Sequence, residues 1–280
     1  MHKNSVVIHS DRGTGSTYFA KAAGIVETLS PGTNAVDASQ SFENGNVGQV
    51  MAYLYTSVPY WPNGTVFVSC VGEGRPVVVK LGNGSIIISP DNGTSTMCVG
   101  TLGFSGARYV DTNKYGADEW ALFRCAVDSA SGASFEELGP DAADEVVFLT
   151  IPKAVIGDGY AEGAVGMLLR NFGNITFTIG TDEFEATGIH HGDLVEVTFT
   201  KDGKTEYHAV MPYQPSFGYV PVGQPVVFNG SSGYMDIGLN MRSFRNECIP
   251  QILEEKDPGV FQVRIEKKEG HSETLYSTSV

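Results

Sequence analysis

The apolar pattern of this 280-residue chain changes period about halfway along, and that change limits the folds open to it. Up to about residue 155, short apolar runs alternate with stretches whose apolar side chains recur at helical spacing. Beyond about Gly163 the pattern becomes short strands of alternating character, cut by turns rich in glycine, asparagine and aspartate. The first pattern predicts an α/β domain over residues 1–155, sandwich-like, with helices covering a parallel or mixed sheet. The second predicts an all-β module over residues 163–280, a small barrel or sandwich. Residues 152–163 read as the linker between them.

The individual signals support this division. Val6-Val7-Ile8-His9 is an apolar strand ending in Ser10-Asp11, with a glycine-broken turn at Gly13 and Gly15 and a helix beyond. That helix covers 18–29, with Phe19, Ala22, Ala23, Val26 and Leu29 on one face and Pro31-Gly32 as its stop. Residues 34–38 form a second short strand. Val47, Val50, Met51, Leu54 and Val58 make another helical stripe, followed by strands over 65–70, 77–80 and 85–89. In the second half, strands cover 175–179, 194–199 and 225–228. Their turns are His191-Gly192-Asp193, Lys201-Asp202-Gly203-Lys204 and Asn229-Gly230-Ser231-Ser232-Gly233.

Charge and cysteine usage exclude several classes. The 18 Lys and Arg against 32 Asp and Glu leave a formal charge of −14. That balance argues against nucleic acid and anionic membrane as partners. No apolar run is long enough to span a bilayer, and Met1-His2-Lys3-Asn4 leads straight into a strand without a signal-peptide core. Cys70, Cys98, Cys125 and Cys248 have neither metal-ligand spacing nor a disulfide framework. His190-His191, read as part of a hairpin turn, lacks a third ligand. A cytoplasmic protein with reduced thiols and no metal is expected.

Three places carry chemistry. Asp11, at the carboxyl end of the first strand, points into the crevice where α/β sheets bind ligands. A carboxylate repels phosphate but accepts two hydrogen bonds from a neutral diol such as a ribose. Asn171-Phe172-Gly173-Asn174 pairs a ring able to cover a base with an amide able to read a purine edge. Glu73-Gly74-Arg75 follows a strand with a carboxylate and a guanidinium side by side. Each has a plainer reading as well: loop for 171–174, surface charge for Glu73 and Arg75, and simple turn for Pro90-Asp91-Asn92-Gly93.

In order and spacing, several strings resemble one family. They are Ser10-Asp11-Arg12-Gly13-Thr14, Ala35-Val36-Asp37, Pro62-Asn63-Gly64-Thr65, Pro90-Asp91-Asn92-Gly93, Phe172-Gly173-Asn174, Ser216-Phe217-Gly218-Tyr219 and Gly233-Tyr234-Met235-Asp236. The family comprises enzymes that cleave S-adenosylmethionine at the ribose 5′ carbon: the hydroxide adenosyltransferases, or hydrolases, and the related fluorinases and chlorinases. The resemblance covers nearly the whole chain. It implies an α/β domain followed by a β-barrel, and S-adenosylmethionine as substrate with no separate cofactor. It also implies a homotrimer whose sites lie between one subunit's first domain and a neighbour's second. By position, Asp11 takes the ribose hydroxyls. Phe172 and Asn174 contact adenine, with backbone near Met241, and Asn171 joins the substrate-binding set. Ser231 lies near the methionine carboxylate, Ser232 joins the substrate-binding set, and Ser16 falls where the family places a carboxylate for the methionine amino group.

The departures lie on the nucleophile side. The hydrolases carry an Asp-Arg-His set, its Asp within Val-Asp-Pro-Gly-Val-Gly. Here that segment is Ser69-Cys70-Val71-Gly72-Glu73-Gly74-Arg75, with Arg75 in place of the family Arg and Glu73 standing in for the Asp. The family His becomes Tyr115, as in the halogenases, yet the fluorinase halide-pocket Trp falls at Gly45 and a pocket Ser at Gly116. The resemblance therefore implies substitution at the 5′ carbon with Glu73, Arg75 and Tyr115 as the catalytic set. Water is the first choice of nucleophile, a larger group the second and halide the last. Two alternatives stand beside it: a non-catalytic adenosyl-ligand-binding protein on the same fold, and an enzyme acting on a different adenosyl substrate.

Overall fold

Strands that are apolar at successive positions need cover on both faces of their sheet. The computed structural model, which describes residues 5–39, 45–169, 172–255 and 258–271, meets that need in the first of two compact units, Met1–Thr150 and Ile151–Val280. The first unit holds β1 (Ser5–His9), β2 (Asn34–Asp37), β3 (Val66–Ser69), β4 (Pro76–Leu81), β5 (Ile86–Pro90) and β6 (Phe104–Tyr109), in the order β2-β1-β3-β5-β4-β6. β2, β1, β3 and β5 are parallel, and β4 runs antiparallel to both its neighbours. Its helices are α1 (Thr17–Leu29), α2 (Val47–Ser57), α3 (Thr96–Leu102), α4 (Thr112–Tyr115) and α5 (Ala121–Ala130).

Alternation along the strands sorts the packing. Val6, Ile8, Val66, Val68 and Ile88 join the cluster built with α1 and α5, while Val7, Phe67 and Ile87 join the one built with α2 and α3. The mixed sheet with helices on both faces is the architecture expected. α1 differs in detail: it buries Tyr18, Ala22 and Val26, one turn apart, and leaves Leu29 52% exposed. Ala22 and Val26 of the expected stripe are thus buried and Phe19 packs against the same cluster, while Tyr18 joins them. α2 buries Val50, Met51 and Leu54 as the stripe predicts, and Gln49 beside them.

The second unit contains β7 (Val155–Gly157), β8 (Tyr160–Leu168), β9 (Ile175–Gly180), β10 (Asp193–Lys201), β11 (Lys204–Gln214), β12 (Pro225–Asn229), β13 (Tyr234–Leu239) and β14 (Gln262–His271). Two short helices, α6 (Thr181–Glu185) and α7 (Phe244–Glu247), accompany them. Seven strands close into a barrel in the order β8-β9-β13-β12-β11-β10-β14, with β14 returning to pair with β8 and β7 lying outside on β8. Phe177, Val197, Phe199, Met211 and Ile237 fill its interior.

Two expectations need correction. The stretch read as a linker carries β7 and the start of β8, because the inward positions there are Ala161 and Gly163, too small to mark a strand. His191-Gly192 is not a hairpin turn but the lead from α6 into β10, closed by the His190 N–H donating to Asp193 at 2.9 Å. The turn between β10 and β11 is as expected: Asp202 and Gly203, with φ of 50° and 75°, supply the left-handed pair that a two-residue hairpin requires.

Candidate functional site

The sheet order reverses at β1, which has β2 on one side and β3 on the other. Crevices at the carboxyl ends of strands form at such a reversal. The carboxyl end of β1 leads through Ser10 to Asp11, that of β2 is Asp37, and that of β3 leads to Cys70 and the Glu73-Gly74-Arg75 segment. The Cys70 N–H donates to the His9 carbonyl at 3.0 Å, and the Ser10 and Ser39 hydroxyls bond at 3.0 Å, so the three strand ends are tied together. Asp37 spends its carboxylate on the Gly15 and Ser39 N–H groups, at 2.8 and 2.9 Å. Asp11 is half-buried, and its Oδ2 accepts from the Gly45 N–H at 3.0 Å just ahead of α2.

Glu73 and Arg75 are both exposed at this end of the sheet. The Arg75 guanidinium lies 3.7 Å from the Tyr109 ring centroid, and the Tyr109 hydroxyl donates to Asp91 at 3.4 Å. Asp91 also accepts from the Val147 N–H, and Asn92 donates to the Val71 carbonyl at 3.0 Å, so Pro90-Asp91-Asn92-Gly93 braces the loops around Arg75. Tyr115 is buried in the helical layer, and its hydroxyl donates to Asp128 of α5 at 2.9 Å. The Ser16 side chain caps α1, accepting from the Phe19 N–H at 3.2 Å. Cys70 is hydrogen-bonded to Tyr18, and burial pushes its thiol up to about 12, so it is protonated.

The second unit holds a separate cavity of about 430 Å³, lined among others by Phe172, Asn174, Phe217, Met241, Arg242 and Asn246. β9 begins directly after Asn174, which is buried, and Phe172 is 66% exposed. Asn174 lies against β13: a Cβ placed on Gly238 would stand 2.5 Å from its Oδ1. Met241 is held at φ 58°, a strained value for a residue with a side chain, and is 78% exposed. Ser231 and Ser232 occupy the turn between β12 and β13; Ser231 is exposed and the Ser232 Oγ is buried without a hydrogen-bond partner. Asn171 lies outside the described residues. Phe217 and Arg242 line the cavity although sequence reasoning assigned them no role; Phe217 stood within a family string, whereas Arg242 had no signal.

A mixed α/β sheet unit with polar groups at the carboxyl ends of its strands, followed along the chain by a seven-stranded barrel, defines the class of protein. The chain belongs to the SAM hydroxide adenosyltransferase family, whose N-terminal domain model matches residues 6–138 and whose C-terminal domain model matches residues 171–248. It is similar to a fluorinase from Actinopolyspora mzabensis, 26% identical over 85% of this chain and 91% of that protein. An (R)-S-adenosyl-L-methionine hydrolase from Thermus thermophilus is also 26% identical, over 84% of this chain and 92% of the hydrolase. A crystal structure of an uncharacterized conserved protein from Thermotoga maritima shares the fold, with a TM-score of 0.76 and 22% identity over 93% of this chain and 99% of that one. Among the described residues no helix is long and apolar enough to cross a membrane.

Proposed function

We propose that this protein cleaves S-adenosylmethionine at the ribose 5′ carbon, with water as nucleophile, releasing methionine and adenosine. The observation that carries this reading is Asn174 seated against Gly238 in a cavity flanked by Phe172 and Phe217. An amide edge beside aromatic rings is what a purine requires. Asp11 then takes the ribose diol, Ser231 and Ser232 take the methionine carboxylate, and backbone at Met241 meets adenine. In this reading the chain works as a homotrimer in the cytoplasm, the first unit of one copy serving the second unit of another.

The chemistry asks little of acids or bases. A water oxygen attacks the 5′ carbon, the carbon–sulfur bond breaks, its electron pair leaves on sulfur as a neutral thioether, and the water proton is lost. Holding water, carbon and sulfur in line contributes on the order of 7–11 kcal/mol to lowering the barrier. Arg75, fixed on the Tyr109 ring, stabilises the developing hydroxide, and Glu73 accepts its proton. Tyr115 is the member of the set least able to serve, since its hydroxyl proton is already given to Asp128.

That commitment, together with the capping duty of Ser16, favours a second reading in which the site binds an adenosyl ligand without turning it over. Incubation with S-adenosylmethionine followed by chromatography separates the two: methionine and adenosine appear in equal amounts under the first reading and neither appears under the second. Asp11→Ala is expected to weaken adenosine binding by roughly tenfold or more, as loss of charge-assisted hydrogen bonds implies. Unchanged affinity would remove Asp11 from the ribose site.

A further inference from the structure

The outward face of β13 carries a buried carboxyl group that the reading above leaves without a role. Asp236 is 4% exposed and stands opposite Thr176 of β9, whose hydroxyl donates to its Oδ1 at 2.6 Å. Two residues further along β13 is Gly238, against which Asn174 rests. On another side the Asp236 carboxyl fills the space beside Gly230, where an added Cβ would meet Oδ1 at 2.8 Å. Gly230 opens the turn bearing Ser231 and Ser232, and its N–H donates to the Tyr234 carbonyl at 2.8 Å. One carboxyl group thus touches the strand that seats Asn174 and the turn that presents the two serines.

We propose that Asp236 is a positioning residue that makes retention of the ligand's carboxylate end depend on pH, accommodating that end when neutral and repelling it when ionised. The proposal rests on the adenosyl reading. Burial pushes the Asp236 carboxyl up to about 7, against the opposing hydrogen bond from Thr176. Its neighbours are Thr176 on β9, Phe228 on β12, Tyr234 on β13 and Gly230 in the turn, and no charged side chain among the described residues offsets its own charge. Once ionised, Asp236 places an uncompensated negative charge beside the turn that receives a second carboxylate, and burial leaves that repulsion weakly screened.

The test is calorimetric titration of the wild-type protein and Asp236→Asn at pH 6 and pH 8, with S-adenosylmethionine and with its decarboxylated analogue. Asn keeps an acceptor for Thr176 and cannot ionise, and it cancels titration of the ligand's own amino group. Wild-type affinity for S-adenosylmethionine, relative to the variant, is expected to fall about tenfold from pH 6 to pH 8. The cationic analogue is expected to bind the wild-type protein at least as well at pH 8 as at pH 6. An unchanged ratio, or a wild-type loss at pH 8 equal for both ligands, would overturn the proposal. Absence of binding by either ligand at both pH values overturns the adenosyl reading itself, and the proposal with it.

Discussion

His9 sits two residues ahead of Asp11 and has the opposite relation to solvent. It is fully buried, and neither ring nitrogen has a hydrogen-bond partner. Burial lowers its pKa to about 4, against the attraction of the Asp37 carboxylate. The native imidazole is therefore neutral while the unfolded one charges below about 6.5, so its contribution to stability is complete above 6.5 and lost as pH falls through 4. A shift of this size corresponds to roughly 3 kcal/mol. Urea unfolding at pH 7 and pH 4.5 is expected to show the wild-type protein losing about 2–3 kcal/mol more than His9→Leu. Equal losses would mean that His9 is protonated in the native state. At this scale the sequence was informative where a strand end fixed a residue's place, as with Asp11 just after β1. It was silent on His9, whose burial depends on α2 covering that face of the sheet, and on Tyr115, whose hydroxyl is claimed by a helix beginning six residues later.

Between β9 and β13, shape and charge constrain each other. Gly238→Ala puts a methyl group into the Asn174 amide, so adenosine affinity is expected to fall tenfold or more while overpacking costs about 1–3 kcal/mol of stability. Retained affinity would detach Asn174 from purine recognition. Asp236 has a native pKa above its unfolded value, so its contribution is complete below about pH 4 and lost as pH rises through about 7. At pH 8 Asp236→Asn is expected to melt above the wild-type protein, with a stability gap on the order of 4 kcal/mol that closes as pH falls toward 4. A gap independent of pH would assign the effect to packing. Elements with bulky alternation or explicit turn residues, such as β9, β10 and the Asp202-Gly203 hairpin, were legible in the sequence. β8 was not, because Ala161 and Gly163 pack inward without a hydrophobic signature, and the inward turn of Tyr18 on α1, beside Phe19, Ala22 and Val26, went unread because tyrosine is not an apolar marker.

Each unit has its own core: two clusters flanking the sheet in the first, and one filling the barrel in the second. A fragment covering residues 151–280 is expected to fold by itself, giving a β-rich circular dichroism spectrum and a cooperative melt, since a closed barrel of this size buries a sufficient interior. A fragment that stays unfolded would show that the first unit is needed to complete that interior. The division into two units was legible because the apolar period itself changes. The family was legible because the order of its strings along the chain is matched in both halves. The surroundings of Arg75 and Tyr115 were not, since Arg75 rests on Tyr109 and Tyr115 bonds to Asp128 of α5, partners that no local pattern records.

The closing strand of the barrel also sets a timetable. β14, at 262–271, pairs with both β10 and β8, so two strands made much earlier wait for a partner synthesised only after β13. While the ribosome is still adding those residues, β8 and β10 present unpaired backbone that another nascent chain can join. The first unit faces no such delay, because its strands all lie within residues 5–109 and can assemble as soon as its helices are available. The stage of production most exposed to misassembly is therefore the interval between emergence of β13 and release of β14.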